Sequence, residues 1–169
     1  MMRPFLGWSA LALLLVMAAY NLLVVAPEVT GGFLPQAAWW GYSTTELAVF
    51  GFEIAGRTEI ARLYHLQLAV VDPLFILAFA LWGGLSLRPL GRRWVLLPLA
   101  FTLADLGENF LLLGATGFGS SPADPILALP LADAPLAPAA WFTLAKLGFA
   151  AVILLSVWSR RAARIERSR

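Results

Sequence analysis

Hydrophobic residues form four long runs along this chain, and each run is bounded by charged or turn-forming residues. A helix needs about 20 mostly apolar residues to cross the roughly 30 Å hydrocarbon core of a membrane. We interpret the first run as a span and not as a cleaved signal peptide, because Pro27 directly follows the candidate cleavage residue Ala26. The pattern predicts four transmembrane helices: Phe5 to Val25, Leu63 to Leu85, Trp94 to Gly114, and Ala139 to Trp158.

Composition supports this class of protein and excludes several others. Of the 169 residues, 60% are apolar and 13% are charged, which is typical neither of disordered chains nor of ordinary soluble domains. The chain has no cysteine, so disulfides, zinc-thiolate sites and cysteine nucleophiles are excluded. The length favours one domain, and we predict a single all-α transmembrane domain over residues 1–169, folded as a four-helix bundle.

The distribution of basic residues predicts the orientation of the bundle. Because cytoplasmic ends of membrane helices collect Lys and Arg, we predict that both termini are cytoplasmic, with outer loops over 26–62 and 115–138 and a basic tail over 159–169. We expect an integral protein of a bacterial inner membrane, and no nucleic-acid partner, because the net charge of +2 reflects this topology. The basic residues on the predicted cytoplasmic side are Arg3, Arg88, Arg92, Arg93, Arg160, Arg161, Arg164, Arg167 and Arg169.

The first outer loop contains a helix-start signal. Ser43 and Glu46 have the spacing of a capping box, and apolar residues follow at helical intervals. We predict a short amphipathic helix from Ser43 to Ala55 that lies on the outer surface or covers the bundle mouth. A second helix is predicted to start at Thr58 and to continue into span two. The other outer loop is rich in Gly and Pro, which favours turns.

Ionisable residues inside the spans fall at one depth. Counted at about 1.5 Å per residue from the cytoplasmic ends, Asp105 lies about 16 Å up, Lys146 about 18 Å, Asp72 about 20 Å and Glu108 about 21 Å. Ionisable residues in spans usually face the bundle interior and mark a functional site. We therefore predict a polar layer in the outer half of the bilayer. Other polar residues near this layer are Tyr20, Asn21, Tyr64, His65, Gln67, Asn109 and Thr143.

Residue spacing places several of these groups on common helix faces. Asp105, Glu108 and Asn109 are three and four residues apart, so they project from one side of span three. His65 and Asp72 are seven residues apart, which predicts one shared face of span two. Pro73 has no N–H, so the carbonyl of Ala69 is expected to lose its helical partner, with a kink beside Asp72.

The charges of the layer do not balance. Three carboxyls and one ammonium give a formal charge of −2 in a medium where unpaired charge is costly. We predict that Lys146 pairs with one carboxylate and that at least one other carboxyl is protonated. Asp72, Asp105 and Glu108 are the candidate catalytic residues, if the protein is an enzyme. The candidate ligand-binding residues are Asn109, Lys146, His65, Tyr64, Tyr20 and Asn21.

Three functions are compatible with such a layer. In the first, an outer-facing pocket binds a lipid, quinone or isoprenoid, whose head meets the layer and whose tail lies along Phe75, Phe79 and Phe101. In the second, the same carboxyls perform acid/base chemistry on a lipid, as an isomerase, cyclase or hydrolase. In the third, the chain is an accessory or assembly subunit of a larger membrane complex, and the polar groups only hold helices together. No metal or cofactor is predicted, because the Glu-x-x-His pairs of bundle metal sites are missing.

The layout of the chain resembles one known group of membrane proteins. Four spans, cytoplasmic ends and a long first outer loop are similar to the emopamil-binding and sigma-2 receptor group of sterol-handling proteins. No residue role is carried over from that group, because the sequence Asp105-x-x-Glu108-Asn109 is not matched to any of its motifs.

Overall fold

α-Helices dominate the structure, a computed structural model that describes residues 2–118 and 136–167. No β-strand occurs within those two ranges. Most of the predicted loop 115–138 and the last two residues of the predicted tail 159–169 lie outside the described residues. The helices are α1 (Met2–Tyr20), α2 (Thr44–Ala55), α3 (Thr58–Leu66), α4 (Asp72–Leu87), α5 (Leu96–Ala115) and α6 (Pro138–Arg167).

Four helical segments are long and apolar enough to cross a membrane. They contain the four predicted spans, and the second is longer than predicted because α3 continues into α4. Many of their large apolar side chains are exposed, which is the distribution expected of helices whose outer faces contact lipid. The segments are Met2–Glu28, Thr58–Leu90, Arg92–Ala115 and Pro138–Arg160.

Two π-helical segments interrupt the α-helical register. Asn21–Val25 extends α1, and Gln67–Val71 joins α3 to α4. At the end of the second segment the N–H of Asp72 donates to the Gln67 carbonyl, five residues back. The next donor in this register is Pro73, which has no N–H, and Asn109 Nδ2 donates to the Leu68 carbonyl instead, at 3.4 Å. The sequence analysis assumes an uninterrupted α-helix and predicts that the Ala69 carbonyl loses its partner. In the structure it is the Leu68 carbonyl, one residue earlier, that accepts a hydrogen bond from a side chain.

α4 is the central helix of the bundle. α1 packs mainly on α4, α4 also contacts α5 and α6, and α5 and α6 pack along one another. Glycines allow two of these helix pairs, α1 with α4 and α5 with α6, to pack closely. A Cβ at Gly7 would lie 2.8 Å from Trp82 Nε1, and one at Gly107 would lie 2.6 Å from the ring of Phe142. Side chains at either glycine would therefore push the paired helices apart.

Buried apolar residues form two clusters at opposite ends of the bundle. The cluster near α2 includes Val25, Tyr64 and Leu112, and the cluster at the arginine-rich end includes Phe101 and Ile153. On α5 the residues between Phe101 and Leu112 include the buried Asp105, Glu108 and Asn109. The polar residues of the spans therefore lie between two apolar clusters, where water is scarce.

The chain between α1 and α2 folds back onto the bundle through short 3-10 turns. Glu53 on α2 accepts hydrogen bonds from the Thr30 N–H, at 2.9 Å, and from the Thr30 hydroxyl. Arg57 forms an ion pair with Glu28, at the end of the first membrane segment. These contacts hold the first loop close to α2.

The start of α2 has the predicted capping box. The N–H of Glu46 donates to Ser43 Oγ at 3.2 Å, and the Ser43 N–H donates to Glu46 Oε2 at 2.7 Å. Further along α2, Gly51 packs directly against the Ala115 carbonyl at the end of α5. α2 is thus fixed to the bundle at a point that accepts only hydrogen as a side chain.

We predict that Gly51→Val destabilises the protein by about 1–3 kcal/mol, because its side chain would overlap the α5 backbone. Thermal unfolding in detergent measures the effect. Gly84→Val is the matched control, since a Cβ at Gly84 meets nothing within 4 Å. Equal effects of the two substitutions would show that α2 does not pack on α5 in this way.

The capping box also predicts a pH dependence. Hydrogen bonds from Ser43 lower the pKa of Glu46 below its ordinary value. A lowered pKa in the folded state means that this stabilisation is present above the ordinary glutamate pKa and is lost as pH falls through the folded-state value. Hydrogen exchange should show α2 amides losing protection over that acidic range in the wild type. In Glu46→Gln, which keeps the cap without a titrating group, the same amides should not respond; an identical acid response in both proteins contradicts the prediction.

Candidate functional site

A layer of buried polar side chains crosses the bundle between the two apolar clusters. It is formed by α4, α5, α6 and the π segment before α4, and we call it the polar layer. Its members on α5 and α6 face each other because those helices pack along their length. The polar layer consists of Gln67, Asp72, Asp105, Glu108, Asn109, Thr143 and Lys146.

Lys146 is the positive centre of the polar layer. Its Nζ lies 2.7 Å from Asp105 Oδ1, and it also forms an ion pair with Glu108. The two acids are one helical turn apart on α5, so both reach the same ammonium on α6. Asp105 is 1% exposed and Glu108 is fully buried. The sequence predicts one carboxylate partner for Lys146, and the structure has two.

A chain of hydroxyl groups connects Glu108 to the first loop. Thr143 Oγ1 donates to Glu108 Oε1 at 2.7 Å, and the Tyr42 hydroxyl lies 3.4 Å from Thr143 Oγ1. Burial raises the pKa of Tyr42 well above its ordinary value, so the phenol keeps its proton and can donate to Thr143. Tyr42 was missed by the sequence analysis, because no local pattern connects it to a residue 101 positions away.

Asp72 occupies a different environment from the other two acids. It is buried, and no ion pair to it occurs in the part of the chain that the structure describes. It faces the same cavity as Asp105 and Lys146. If all three acids are ionised, one ammonium leaves the polar layer with a formal charge of −2. The layer therefore attracts a cation, a proton or a hydrogen-bond donor.

A cavity of about 690 Å³ adjoins the polar layer. It lies between α1 and α6, with α4 and α5 behind it. Polar side chains line one end of the cavity, and apolar side chains line the rest. The polar lining residues are Asn21, Gln36, Gln67, Asp72, Asp105 and Lys146.

Aromatic side chains form the back wall of the apolar part. The ring centroids of Phe79 and Phe101 are 4.7 Å apart, and Phe75 lies 5.8 Å from Phe79. Trp82 continues this row, 5.6 Å from Phe79. All four rings line the cavity, which therefore combines a charged end with a wall suited to a hydrocarbon chain.

The first loop covers the polar end of the cavity. Gln36 lines this end, and its Oε1 accepts hydrogen bonds from the Tyr64 hydroxyl, at 3.3 Å, and from Asn21 Nδ2, at 3.4 Å. The side of the cavity between α1 and α6 is bordered by exposed leucines, including Leu14 and Leu154. The sequence predicts a pocket reached from the outer side, whereas the structure has a loop at that end and an open flank between two helices.

Two amide oxygens at the polar end have no hydrogen-bond partner among the described residues. They are Gln67 Oε1 and Asn21 Oδ1, and both residues line the cavity. A buried acceptor without a partner costs about 1–3 kcal/mol, but the two oxygens are closed off from the space of the cavity, so a ligand reaches them only if these side chains turn. The sequence analysis names Gln67 among the polar residues near the layer but not among the candidate ligand-binding residues.

The predicted site residues divide into groups. Asp72, Asp105, Lys146 and Asn21 line the cavity, as a shared site requires. Glu108 and Asn109 belong to the polar layer but do not line the cavity. Tyr64 reaches the cavity only through Gln36, and the buried Tyr20 hydroxyl has no hydrogen-bond partner within the described ranges.

His65 lies outside the cavity and contacts neither Asp72 nor the ion pairs. Its Nε2 is 2.9 Å from Thr116 Oγ1, and its ring packs on Phe118. The predicted common face with Asp72 is wrong because the π segment between them adds about one residue to the turn and rotates the later residues by about 100°. His65 therefore connects α3 to the end of α5.

The chemistry of these groups is the basis for a function. Comparisons with protein-family models, with curated proteins and with solved structures find no match. Within residues 2–118 and 136–167, no group of three His, Asp or Glu side chains is arranged to hold a metal ion. The cavity groups can bind a polar head by charge and hydrogen bonds, and carboxyls in different environments can exchange protons.

We predict that Lys146→Met destabilises the bundle by about 3–5 kcal/mol, because it leaves Asp105 and Glu108 buried without a counter-charge. The triple variant with Asp105→Asn and Glu108→Gln should recover most of this loss. Unfolding in detergent measures both. Thr102→Val, a control on α5 outside the polar layer, should change little. A single variant as stable as the wild type, or a triple variant no better than the single, would contradict a stabilising role for the ion pairs.

Proposed function

We propose that this chain binds an amphiphile, a lipid-like or isoprenoid-like molecule, in the cavity between α1 and α6. The observation that carries the proposal is the division of this cavity into a charged end and an aromatic wall. Such a division matches a molecule with one polar head and one apolar tail. A water-soluble substrate would leave the aromatic part unused.

The polar head would contact the cavity side of the polar layer. Asp72 would accept hydrogen bonds from the head, and Lys146 supplies a positive charge beside Asp105. The tail would lie along Phe75, Phe79 and Phe101. A tail that enters from the bilayer leaves surroundings as apolar as the cavity, so its burial adds little transfer free energy. The charge and hydrogen bonds of the head would then supply most of the affinity, and the shape of the apolar wall would select the tail.

We further propose that the protein is an integral protein of a bacterial inner membrane with both termini in the cytoplasm. Support comes from the four apolar segments and from the arginines at one end of the bundle. Arg160 Nη1 donates to the Ser86 carbonyl at 2.6 Å, so the basic end of α6 lies beside the end of α4. In this orientation α2 and the first loop face the outer side, and the exposed Trp39 and Trp40 suit the membrane interface.

A second candidate is an enzyme that uses the same cavity for acid/base chemistry on a lipid. Asp105 is paired with Lys146, whereas Asp72 has no ion pair among the described residues, and both line the cavity. Carboxyls in such different environments can divide the roles of proton donor and acceptor. In this second candidate function Asp72 exchanges a proton with the bound lipid. Asp105 and Glu108 form ion pairs with Lys146 and keep it protonated.

We predict that the purified protein retains an amphiphile at about one molecule per chain and that Asp72→Asn lowers the retained amount at least tenfold. Extraction and mass spectrometry measure the bound molecule. Glu59→Gln, the same carboxyl-to-amide change at an exposed position away from the cavity, should retain it fully. Asp72→Asn is isosteric and breaks no ion pair of the described structure, so its folding should be unaffected.

The same samples separate the rival functions. Wild-type protein incubated with host lipids yields a new product only if it is an enzyme, and Asp72→Asn should then yield none. Retention without a product supports binding alone. Wild-type protein that retains no amphiphile, in native membrane extracts as well as in detergent, contradicts both proposals and favours a subunit whose polar groups only join helices.

A further inference from the structure

The apolar end of the cavity contains a close contact between α1 and α4. Pro4, Gly7 and Trp8 of α1 and Trp82 of α4 line this end. A Cβ at Gly7 would lie only 2.8 Å from Trp82 Nε1 and 2.9 Å from Trp82 Cδ1, so the indole ring lies directly on the α1 backbone. Trp82 thus reaches from α4 to α1 across the width of the cavity.

Little space remains on the far side of this indole ring. Ser86, one helical turn after Trp82 on the same face of α4, is 1% exposed. The adjacent Gly83 packs against α5 and α6, because a Cβ there would lie 3.2 Å from Pro98 and 3.3 Å from Ile153. A hydrocarbon chain that follows the aromatic wall from Phe75 through Phe79 therefore meets the face of Trp82 and then a packed core.

The helix geometry gives the length of this path. Trp82 is ten residues beyond Asp72, and α4 rises about 1.5 Å per residue, so the wall extends about 15 Å from the polar layer. A hydrocarbon chain with C–C bonds of about 1.5 Å advances roughly 1.25 Å per carbon when extended. The path therefore accommodates a chain of about 12 carbons.

We propose that Trp82, lying on Gly7, limits the tail of the bound amphiphile to a main chain of about 12 carbons. The inference rests on the proposed function and adds the size class of the ligand: a medium-length alkyl chain or an isoprenoid of the same main-chain length. Longer tails would have to bend out between α1 and α6 into the lipid. Trp82 is in this proposal a specificity-determining residue, and it does not touch the polar head.

Straight-chain fatty alcohols of even length from 8 to 18 carbons test the limit, because their hydroxyl head can donate to the Asp72 carboxylate at the polar end. Native mass spectrometry of the full chain in detergent micelles gives the affinity for each alcohol. Because the alcohols enter from micelles whose interior is as apolar as the cavity, affinity in the wild type should change little up to about 12 carbons and should fall for longer chains, which must bend at Trp82. In Trp82→Ala the fall should begin only beyond about 16 carbons, and in Trp82→Phe at an intermediate length. Trp158→Ala, an exposed tryptophan outside the cavity, should keep the wild-type limit.

The outcomes separate this inference from the proposed function. A wild-type limit that stays unchanged in both Trp82 variants overturns the role of Trp82 and leaves amphiphile binding intact. Wild-type affinity that does not fall with chain length up to 18 carbons overturns it as well. If no alcohol binds to the wild type, both the length limit and the cavity as a binding site are wrong. If Trp82→Ala does not fold, Trp82→Phe alone tests the inference: a limit at a longer chain than in the wild type supports the role of Trp82, and an unchanged limit overturns it.

Discussion

The ion pairs of Lys146 with Asp105 and Glu108 are the constraint on which the rest of the molecule depends. Charges in an apolar interior are tolerated only when each has a partner, so α5 and α6 must present these residues at one level. Glu108 also accepts from Thr143, and Thr143 contacts Tyr42. The network that joins α5 and α6 thereby reaches the loop that covers the cavity.

Some members of the polar layer only join helices, and others also line the cavity. Glu108 and Asn109 bond to neighbouring helices and do not line the cavity, whereas Asp72 and Gln67 line it. The aromatic wall extends the cavity away from this layer, along the length of α4. A site with a covered end and an open flank is suited to a molecule that already resides among lipid tails, because such a molecule never has to pass through water.

The sequence predicts the parts of this structure that depend on regular periodicity. Run lengths identify the four membrane segments, three- and four-residue spacing places Asp105 with Glu108, and residue counting along each span brings Lys146 to the same level. The π segments lie beyond this reasoning, because it assumes 3.6 residues per turn throughout, and the misplaced His65 follows directly from that assumption. Gln36 and Tyr42 could not be identified, since their roles depend on how an irregular loop folds over residues distant in the chain.

The π segment Gln67–Val71 also has a consequence for how this chain can vary between species. One extra residue in a helical turn rotates all later side chains about the helix axis. The segment therefore aligns a face of α3 with a face of α4 that a regular helix would hold about 100° apart. Deleting a single amino acid there would preserve an apolar span of ample length, yet it would turn the Tyr64 side of α3 out of phase with the Asp72 side of α4. Homologous chains should therefore tolerate exchanges of the exposed side chains of Ala69 and Val70 but very few changes in the number of residues in this stretch.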